Sequence, residues 1–358
     1  MGTSAAFFLA RRGVDVTLVA PNAIGAGATN ASFGNIRRTG RFLPQLPLAH
    51  RSRALWGRAK KLLGRDVEFR ATGHLRLIFD AKSHADMRRF AKAAAPWGLT
   101  LEELDAADLR RRFAGLGADA IGASFSAQDG SANPRLIAPA FAAAAARAGA
   151  TILPHTRVGA ITRTPAGFAV QTSGGPLEST VLLNCAGAWG KAIAAQFDED
   201  VPLSMHGPQM GVTEPLPHRI LPVVGMWSQQ SGAYLRQVER GNVVFGGGVT
   251  RTPVDPQTGH AKADPHLLAQ QLKKVVRLVP ALRDVAVIRQ WSGCEGYIAD
   301  DLPVMGPSGT TPGLFHAFGF CGHGFQLGPG VGDAMAELIV TGTCETPLAP
   351  FDIKRFAA

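Results

Sequence analysis

Near its carboxy-terminal end the chain carries GFCGHG, Gly319 to Gly324, between the apolar run Leu314 to Phe318 and a stripe made by Val331, Ala334, Met335, Leu338 and Ile339. A strand that ends in glycines and feeds a helix offers unpaired N–H groups and the positive end of a helix dipole, which suits an electron-rich ligand group. His323 either touches that ligand or hydrogen-bonds within the loop, and Cys321 reads as a packing residue. A second stretch, LLNCAGAWG (Leu182 to Gly190), is a strand ending in small residues, a pattern that brings backbone close to something. A third, GATNASFGN (Gly27 to Asn35), lies within Pro21 to Gly40, which is rich in glycine and hydroxyl residues and has no helical or strand period. Long loops of that kind in a compact domain are usually functional. The set is rich in backbone-presenting motifs and poor in acid/base dyads, so the chemistry it suits is that of a bound cofactor. Four scattered cysteines, Cys185, Cys294, Cys321 and Cys344, form no C-x-x-C pair; no metal site is expected, and the compartment is expected to be reducing and cytoplasmic.

The element that positions these motifs is the start of the chain. Gly2 opens a helix with Ala5, Ala6, Phe8 and Leu9 at helical spacing, Gly13 stops it, and Val14 to Val19 reads as a short strand buried on both faces. A helix leading into a buried strand is the second half of a dinucleotide-binding β-α-β unit, in which Gly2 takes the place of the third glycine of G-x-G-x-x-G. The expectation is a chain that starts inside that motif, with Met1 just before its last glycine. The alternative is an ordinary amino-terminal helix.

The 358 residues exceed one typical domain, and 46% hydrophobic with 18% charged residues fit a folded protein with a large core. No apolar run reaches the roughly 18 residues of a membrane span. The net charge of +10 is spread along the chain, with the densest groups at Arg37, Arg38, Arg41 and Arg110, Arg111, Arg112; this reads as a diffuse basic surface, with no nucleic-acid groove. In chain order, helices are expected at Leu46–Leu63, Ala85–Ala95, Glu102–Phe113, Leu136–Ala148 after Pro134, and Pro265–Val279. Short strands are expected at Gly73–Phe79, Thr151–Leu153, Val158–Arg163, Phe168–Thr172 and Thr180–Asn184. Met205–Val212, Ala233–Arg236, Asn242–Gly247 and Val285–Trp291 suggest a second, mostly antiparallel sheet. Pro329 is read in the first turn of a helix ending at Thr341, with Gly342 as its stop.

Taken with DDLPVMGP (Asp300 to Pro307) and GFCGHGFQLGPG (Gly319 to Gly330), these stretches resemble the FAD-dependent amine oxidoreductases of the D-amino-acid oxidase superfamily. That group includes glycine and sarcosine oxidases, D-amino-acid dehydrogenases, and opine or hydroxyproline dehydrogenase subunits. The resemblance spans essentially the whole chain. It implies that Gly2 packs under the FAD pyrophosphate and that Thr29, Ala31, Ser32 and Asn35 line the flavin. It also implies that Val158 meets the adenine through its backbone and that Ala186, Gly187 and Trp189 lie beside the pyrophosphate and ribityl chain. Gly319, Gly322, His323, Gly324, Phe325 and Gln326 would then sit over the flavin ring. Tyr234 and Arg236 stand on a strand that in relatives faces substrate; a solvated edge is the other reading. Cys294 lies near where some sarcosine oxidases attach flavin, or is an unreactive buried thiol. At Ala20 the family usually has an acidic residue for the ribose. At Glu295 glycine-oxidase-like relatives have an arginine for the substrate carboxylate. Glu295 either faces the pocket, with the carboxylate passing to Arg37, Arg38 or Arg236, or turns away to pair with Arg236 or Arg289.

The expected fold is α/β: a discontinuous Rossmann-like FAD domain (1–45, 130–204, 296–358) and a substrate domain built on an antiparallel sheet (46–129, 205–295). The implied function is oxidation of a C–N bond in a small amine or amino acid by hydride transfer to flavin, giving an imine. Electrons pass to oxygen, a quinone or a partner subunit, and a homo- or hetero-oligomer, cytoplasmic or peripheral to the inner membrane, is expected. The rival is a non-catalytic or FAD-deficient partner subunit with the same fold.

Overall fold

The computed structural model describes residues 1–217, 219–220, 222–228 and 232–356. Its largest element is a nine-stranded sheet in the order Val287–Ser292, Leu203–Pro215, Asn242–Pro253, Ala233–Gln237, Val223–Met226, His74–Ile78, Gly122–Ser126, Glu102–Asp105. The ninth strand, Glu295–Ile298, pairs with the start of Leu203–Pro215. Pairing is antiparallel except between Val223–Met226 and His74–Ile78. Successive side chains on a strand point to opposite faces. Leu75, Leu77, Ala123, Val224, Leu235, Val243 and Phe245 therefore share one face, where they form a closed core with Val275 and Leu278 of the helix Pro265–Leu278. Burying each of the larger ones contributes about 1.5–3 kcal/mol. The same alternation turns His74, Arg76, Ser124, Tyr234 and Arg236 toward the other face, which is polar.

Three helices pack without room for side chains between them. Gly2–Ala10, Leu46–Gly57 and Gly324–Thr341 meet at Gly330 and Gly332. A Cβ on Gly332 would lie 2.3 Å from Ser4 Oγ and 2.5 Å from the Ala5 nitrogen, and one on Gly330 would lie 2.8 Å from Ser52 Cβ. Against this stack, Phe7 and Phe8 pack on Phe141 of the helix Pro134–Arg147. Smaller sheets flank it. Thr17–Val19 runs parallel to Thr151–Leu153, and Leu182–Asn184 runs parallel to Leu314–Phe318, whose other neighbour is Val304–Pro307.

Several elements differ from the sequence reading. The first strand is only Thr17–Val19, with Thr17 exposed, because its single partner leaves one edge without a neighbour strand among the described residues. The basic helix breaks at Arg58 into Leu46–Gly57 and Ala59–Leu63. The helix expected over Glu102–Phe113 is a strand, Glu102–Asp105, then a helix, Ala106–Arg112. Leu104 is drawn into the sheet opposite Ala123, and Asp105 caps the helix by accepting from Asp108 N at 2.8 Å. The last helix starts at Gly324, so Pro329 lies inside it. Proline supplies no N–H, and the Gly330 N–H turns to Ser52 Oγ. The carbonyl left over, that of Gln326, instead accepts from the Ser52 hydroxyl and, at 2.9 Å, from Trp56 Nε1. Among the described residues no helix is long and apolar enough to cross a membrane.

Candidate active site

The loop expected from its composition to be functional lies along the polar face of the large sheet, and side chains from that sheet hold its backbone. Trp291 Nε1 donates to the carbonyl of Ala31 at 2.9 Å, and Arg236 Nε donates to that of Phe33 at 2.8 Å. The Phe33 ring meets Tyr234 edge to face at 4.6 Å, and Asn35 Nδ2 lies 3.3 Å from His74 Nε2. Gly34 turns the chain at φ +88°, where a Cβ would sit 2.3 Å from the Ala132 carbonyl. Thr29, Ala31 and Ser32 follow on the short helix Ala28–Ala31 and its end. Arg236 is thus spent on the loop backbone, and Glu68 is the charge that bears on it.

Beyond Asn35 the loop carries charge inward, which corrects the reading of a diffuse basic surface. Arg38 and Arg41 are 8% and 5% exposed. Arg38 donates to fully buried Asp129 from its backbone N–H and from Nε, both at 2.9 Å. Arg37 donates to the Thr39 carbonyl, and Arg41 Nε to that of Arg37 at 2.8 Å. From the sheet, Arg76 reaches the same spot. A Cβ on Gly40 would lie 2.0 Å from Arg76 Nη1 and 3.6 Å from Arg37 Nη1. Burial first, then the Arg37 and Arg76 charges, pushes His74 well below the ordinary histidine range.

On the opposite side stands the glycine loop. Gly319 and Gly322 have φ of +72° and +77°, and a Cβ on Gly322 would point at Glu295 Oε2, 3.6 Å away, and at the Tyr297 hydroxyl, 3.7 Å away. The Tyr297 hydroxyl donates to Glu295 Oε2 at 3.0 Å. Burial raises the Tyr234 phenol, the Glu295 charge adds to that rise, and the Arg37 charge opposes it. His323 Nδ1 lies 2.9 Å from Gln45 Oε1. Burial, with the Arg41 and Arg37 charges, pushes its pKa well down. Phe325 packs on Trp56 at 5.3 Å, and Gln326 Nε2 donates to the Ala49 carbonyl. Cys321 accepts from Ile298 N and donates to the Gly319 carbonyl, a structural thiol as expected.

The other expected cofactor residues lie along the strand ends. Gly2 sits between Leu18 and Cys185, each 3.5 Å from where its Cβ would be. Ala186 N donates to Asn184 Oδ1, and Gly187 turns at φ +60° into open space. Trp189 bonds the Pro256 carbonyl and lies over Gly259. Val158 packs beside Ile161, Phe168 and Phe197. Ala20, where the family has an acid, donates to Leu153 O and accepts from Thr156 N through backbone alone. The donor set fits a large cofactor with an anionic middle. Helices Gly2–Ala10 and Gly324–Thr341 have neither a side-chain cap nor an acid in the first turn. Buried Asn35 Oδ1, Gln45 Nε2 and Gln326 Oε1 have no hydrogen-bond partner among the described residues. No cluster of metal-ligating side chains occurs among the described residues.

Tyr234, Glu295, Gly322 and His323 thus come together, whereas Arg236 serves the loop. Sequence reasoning missed Arg41, Arg76, His74 and Tyr297. The signal for two of them was the alternation in HLRLI, His74 to Ile78, which places a histidine and an arginine on one face of a buried strand.

The sequence matches the family described as FAD dependent oxidoreductase (DAO) over residues 1–338. It is 26% identical to glycine oxidase from Geobacillus kaustophilus, over 99% of this chain and 94% of that protein. It is equally 26% identical to the beta chain of sarcosine oxidase from Rhodobacter capsulatus, over 99% of this chain and 86% of that protein. Among solved structures, L-proline dehydrogenase from P. horikoshii superimposes with a TM-score of 0.92 at 27% identity, covering 99% of this chain and 94% of that one.

Proposed function

This chain belongs to the FAD dependent oxidoreductase family, and from that premise we propose that it oxidises the C–N bond of a small amine or amino acid. When bound, FAD supplies the two-electron acceptor: a hydride leaves the carbon next to nitrogen, and the amine becomes an imine that water hydrolyses. The observation that carries the reading is that Glu295 lies beside Gly322 of the glycine loop and that its charge and that of Arg37 both bear on the buried Tyr234. Glu295 accepts the N–H of the substrate nitrogen or of a cationic group at that end. Tyr234, kept protonated by burial, donates a hydrogen bond beside it. Arg37 receives a carboxylate, and among the three arginines weighed for that task it is the one not held by Asp129 or by the Phe33 carbonyl. Such residues align the C–H bond, a service worth several kcal/mol of barrier, and no strong side-chain base is required. His323, held neutral, adds no positive charge to the amine site.

Electrons pass on to oxygen, a quinone or a partner subunit. Ala20 favours a second reading, a partner subunit that keeps the fold but holds FAD poorly. One experiment separates the two. The purified protein should show a flavin spectrum that bleaches when it is mixed anaerobically with an amine or amino acid, and Glu295→Gln should slow cationic substrates far more than glycine or sarcosine. A colourless protein that takes up no added FAD, or a flavin that no amine bleaches, overturns the proposal.

A further inference from the structure

We propose that His316 is a positioning residue for the cofactor: as a neutral ring with its proton on Nε2, it fixes the direction of a buried hydrogen-bond chain from Glu199 through His316 to Asn184, and that chain holds the turn 186–190 in the shape that receives FAD. The inference rests on the family's cofactor and on the turn lying beside it, and is independent of the substrate. Leu182–Asn184 and Leu314–Phe318 run parallel with Asn184 opposite His316, and the two side chains meet at 3.2 Å between Nδ2 and Nδ1. His316 is fully buried, and Asn184 and Glu199 are 2% and 6% exposed. His316 Nε2 lies 2.8 Å from Glu199 Oε2, which also accepts from the Ser308 hydroxyl at 2.9 Å, while Glu199 Oε1 accepts from the Gly309 N–H at 2.6 Å. At the other end Asn184 spans the turn. Its Oδ1 accepts from the Ala186 N–H at 3.2 Å, and its Nδ2 donates to the Gly190 carbonyl at 2.9 Å.

Each link leaves its neighbour one choice. Burial works against the charge of Glu199, yet the bonds from His316, the Gly309 N–H and the Ser308 hydroxyl hold its carboxyl below the ordinary range. A carboxylate only accepts, so His316 Nε2 donates to it and Nδ1 is left as an acceptor. That acceptor selects the amide orientation of Asn184 that points Nδ2 at it, and the same orientation serves the Gly190 carbonyl and the Ala186 N–H together. Moving the ring proton to Nδ1 would set N–H against N–H, and Asn184 could relieve this only by turning over, which gives up both bonds to the turn. Phe318 closes the group: its ring stands edge to face with His316 at 5.6 Å, and its Cγ would lie 2.3 Å from a Cβ on Gly190. The free side of the turn is at Gly187, where φ is +60° and a Cβ would meet nothing within 4 Å. Backbone N–H groups presented on such a turn suit the anionic middle of a dinucleotide.

The test measures FAD affinity of the full-length apoprotein from flavin fluorescence, beside hydrogen exchange of the peptide spanning 184–190 and melting without FAD. His316→Leu removes both nitrogens and should weaken FAD at least about tenfold while speeding exchange in that peptide. His316→Gln offers one donor and one acceptor, so with Glu199 in place it keeps the direction of the chain and should stay within about threefold of wild type. Glu199→Gln is isosteric and serves if His316→Leu does not fold. There the Gly309 N–H claims the amide oxygen, the amide NH2 faces His316, the ring carries its proton on Nδ1, and FAD should weaken by about the same factor as in His316→Leu. Combining Glu199→Gln with His316→Leu should cost no more than His316→Leu alone, since both act through Asn184. If melting falls but the folded variants bind FAD as wild type does, the three residues only pack and the proposal is overturned. A His316→Gln variant that binds FAD as poorly as His316→Leu, or a Glu199→Gln variant that binds it normally, overturns it too. A wild type that takes up no FAD overturns this inference together with the proposed reaction, whereas the expected pattern in a protein whose flavin no amine bleaches fails the proposed reaction alone.

Discussion

The three-helix stack and the polar face of the large sheet are buried to similar depth and are built on opposite terms. In the stack, Gly330 and Gly332 bring backbones together, and the Gly330 N–H and Gln326 carbonyl, parted beside Pro329, find partners in Ser52 and Trp56. On the sheet face, Asp129 is bonded by Arg38 while Arg37, Arg41 and Arg76 donate to backbone carbonyls, and Asn35 Oδ1, Arg41 Nη1 and His74 Nδ1 have no hydrogen-bond partner among the described residues. Interiors normally satisfy their polar groups. A region that does so is finished by folding, and a region that does not is completed by what it binds.

The contrast breaks first at Asp129. Asp129→Asn removes the anion on which Arg38 depends and should cost about 3–5 kcal/mol in a urea titration, the usual penalty for orphaning a buried charge; a loss under about 1 kcal/mol would mean that water already reaches the arginines. Next is Gly332→Val. Its Cβ would press on the Ser4 hydroxyl and the Ala5 backbone, so a loss of about 2–3 kcal/mol is expected in the same titration.

Acid should act at the candidate site, through His74 on the sheet face and His323 at the start of the last helix. His74 and His323 have folded pKa values pushed well below 6.5 by burial. Below pH 6.5 the unfolded chain therefore binds protons that the folded chain refuses, and stability falls as pH drops through that window. Stability should therefore fall between pH 7.5 and 5.5, and His74→Gln should reduce that slope. A flat stability profile across that range would mean that water enters the site. The smallest effect should come from the stack's rim. Arg12→Ala breaks a half-exposed pair with Asp333, which Arg51 continues to hold at 2.7 Å, so a change within about 0.5 kcal/mol is expected by thermal melting.

Local signals were legible wherever a few neighbouring residues decide the outcome. Gly13, Gly149 and Gly342 all stand at positive φ just past the helices that they were read to end. The strand Leu314–Phe318 and the glycine loop after it are as expected. The family, its cofactor and the mixed fold were legible from four short motifs in order. Partners distant in sequence set what was not legible. Glu102 to Asp105 has a helical composition and becomes a strand because Gly122–Ser126 offers an open edge to Leu104. Arg38 reads as surface charge because its partner Asp129 lies 91 residues away. The last helix begins five residues before its proline because Ser52 and Trp56 repair the break from the far end of the chain.

That repair has a consequence for biosynthesis. Ser52 and Gly330 are separated by 278 residues. At about 5–20 residues per second, a ribosome takes on the order of 14–56 s to deliver the second after the first. Throughout that interval the side of Leu46–Gly57 that carries Leu48 and Ala49 lacks Leu327 and Val331 of the last helix, its partners in the core. The nascent chain must carry that side as an open surface, which makes this early helix the place where a holding chaperone would be most needed and where slowing late translation would do most harm to yield.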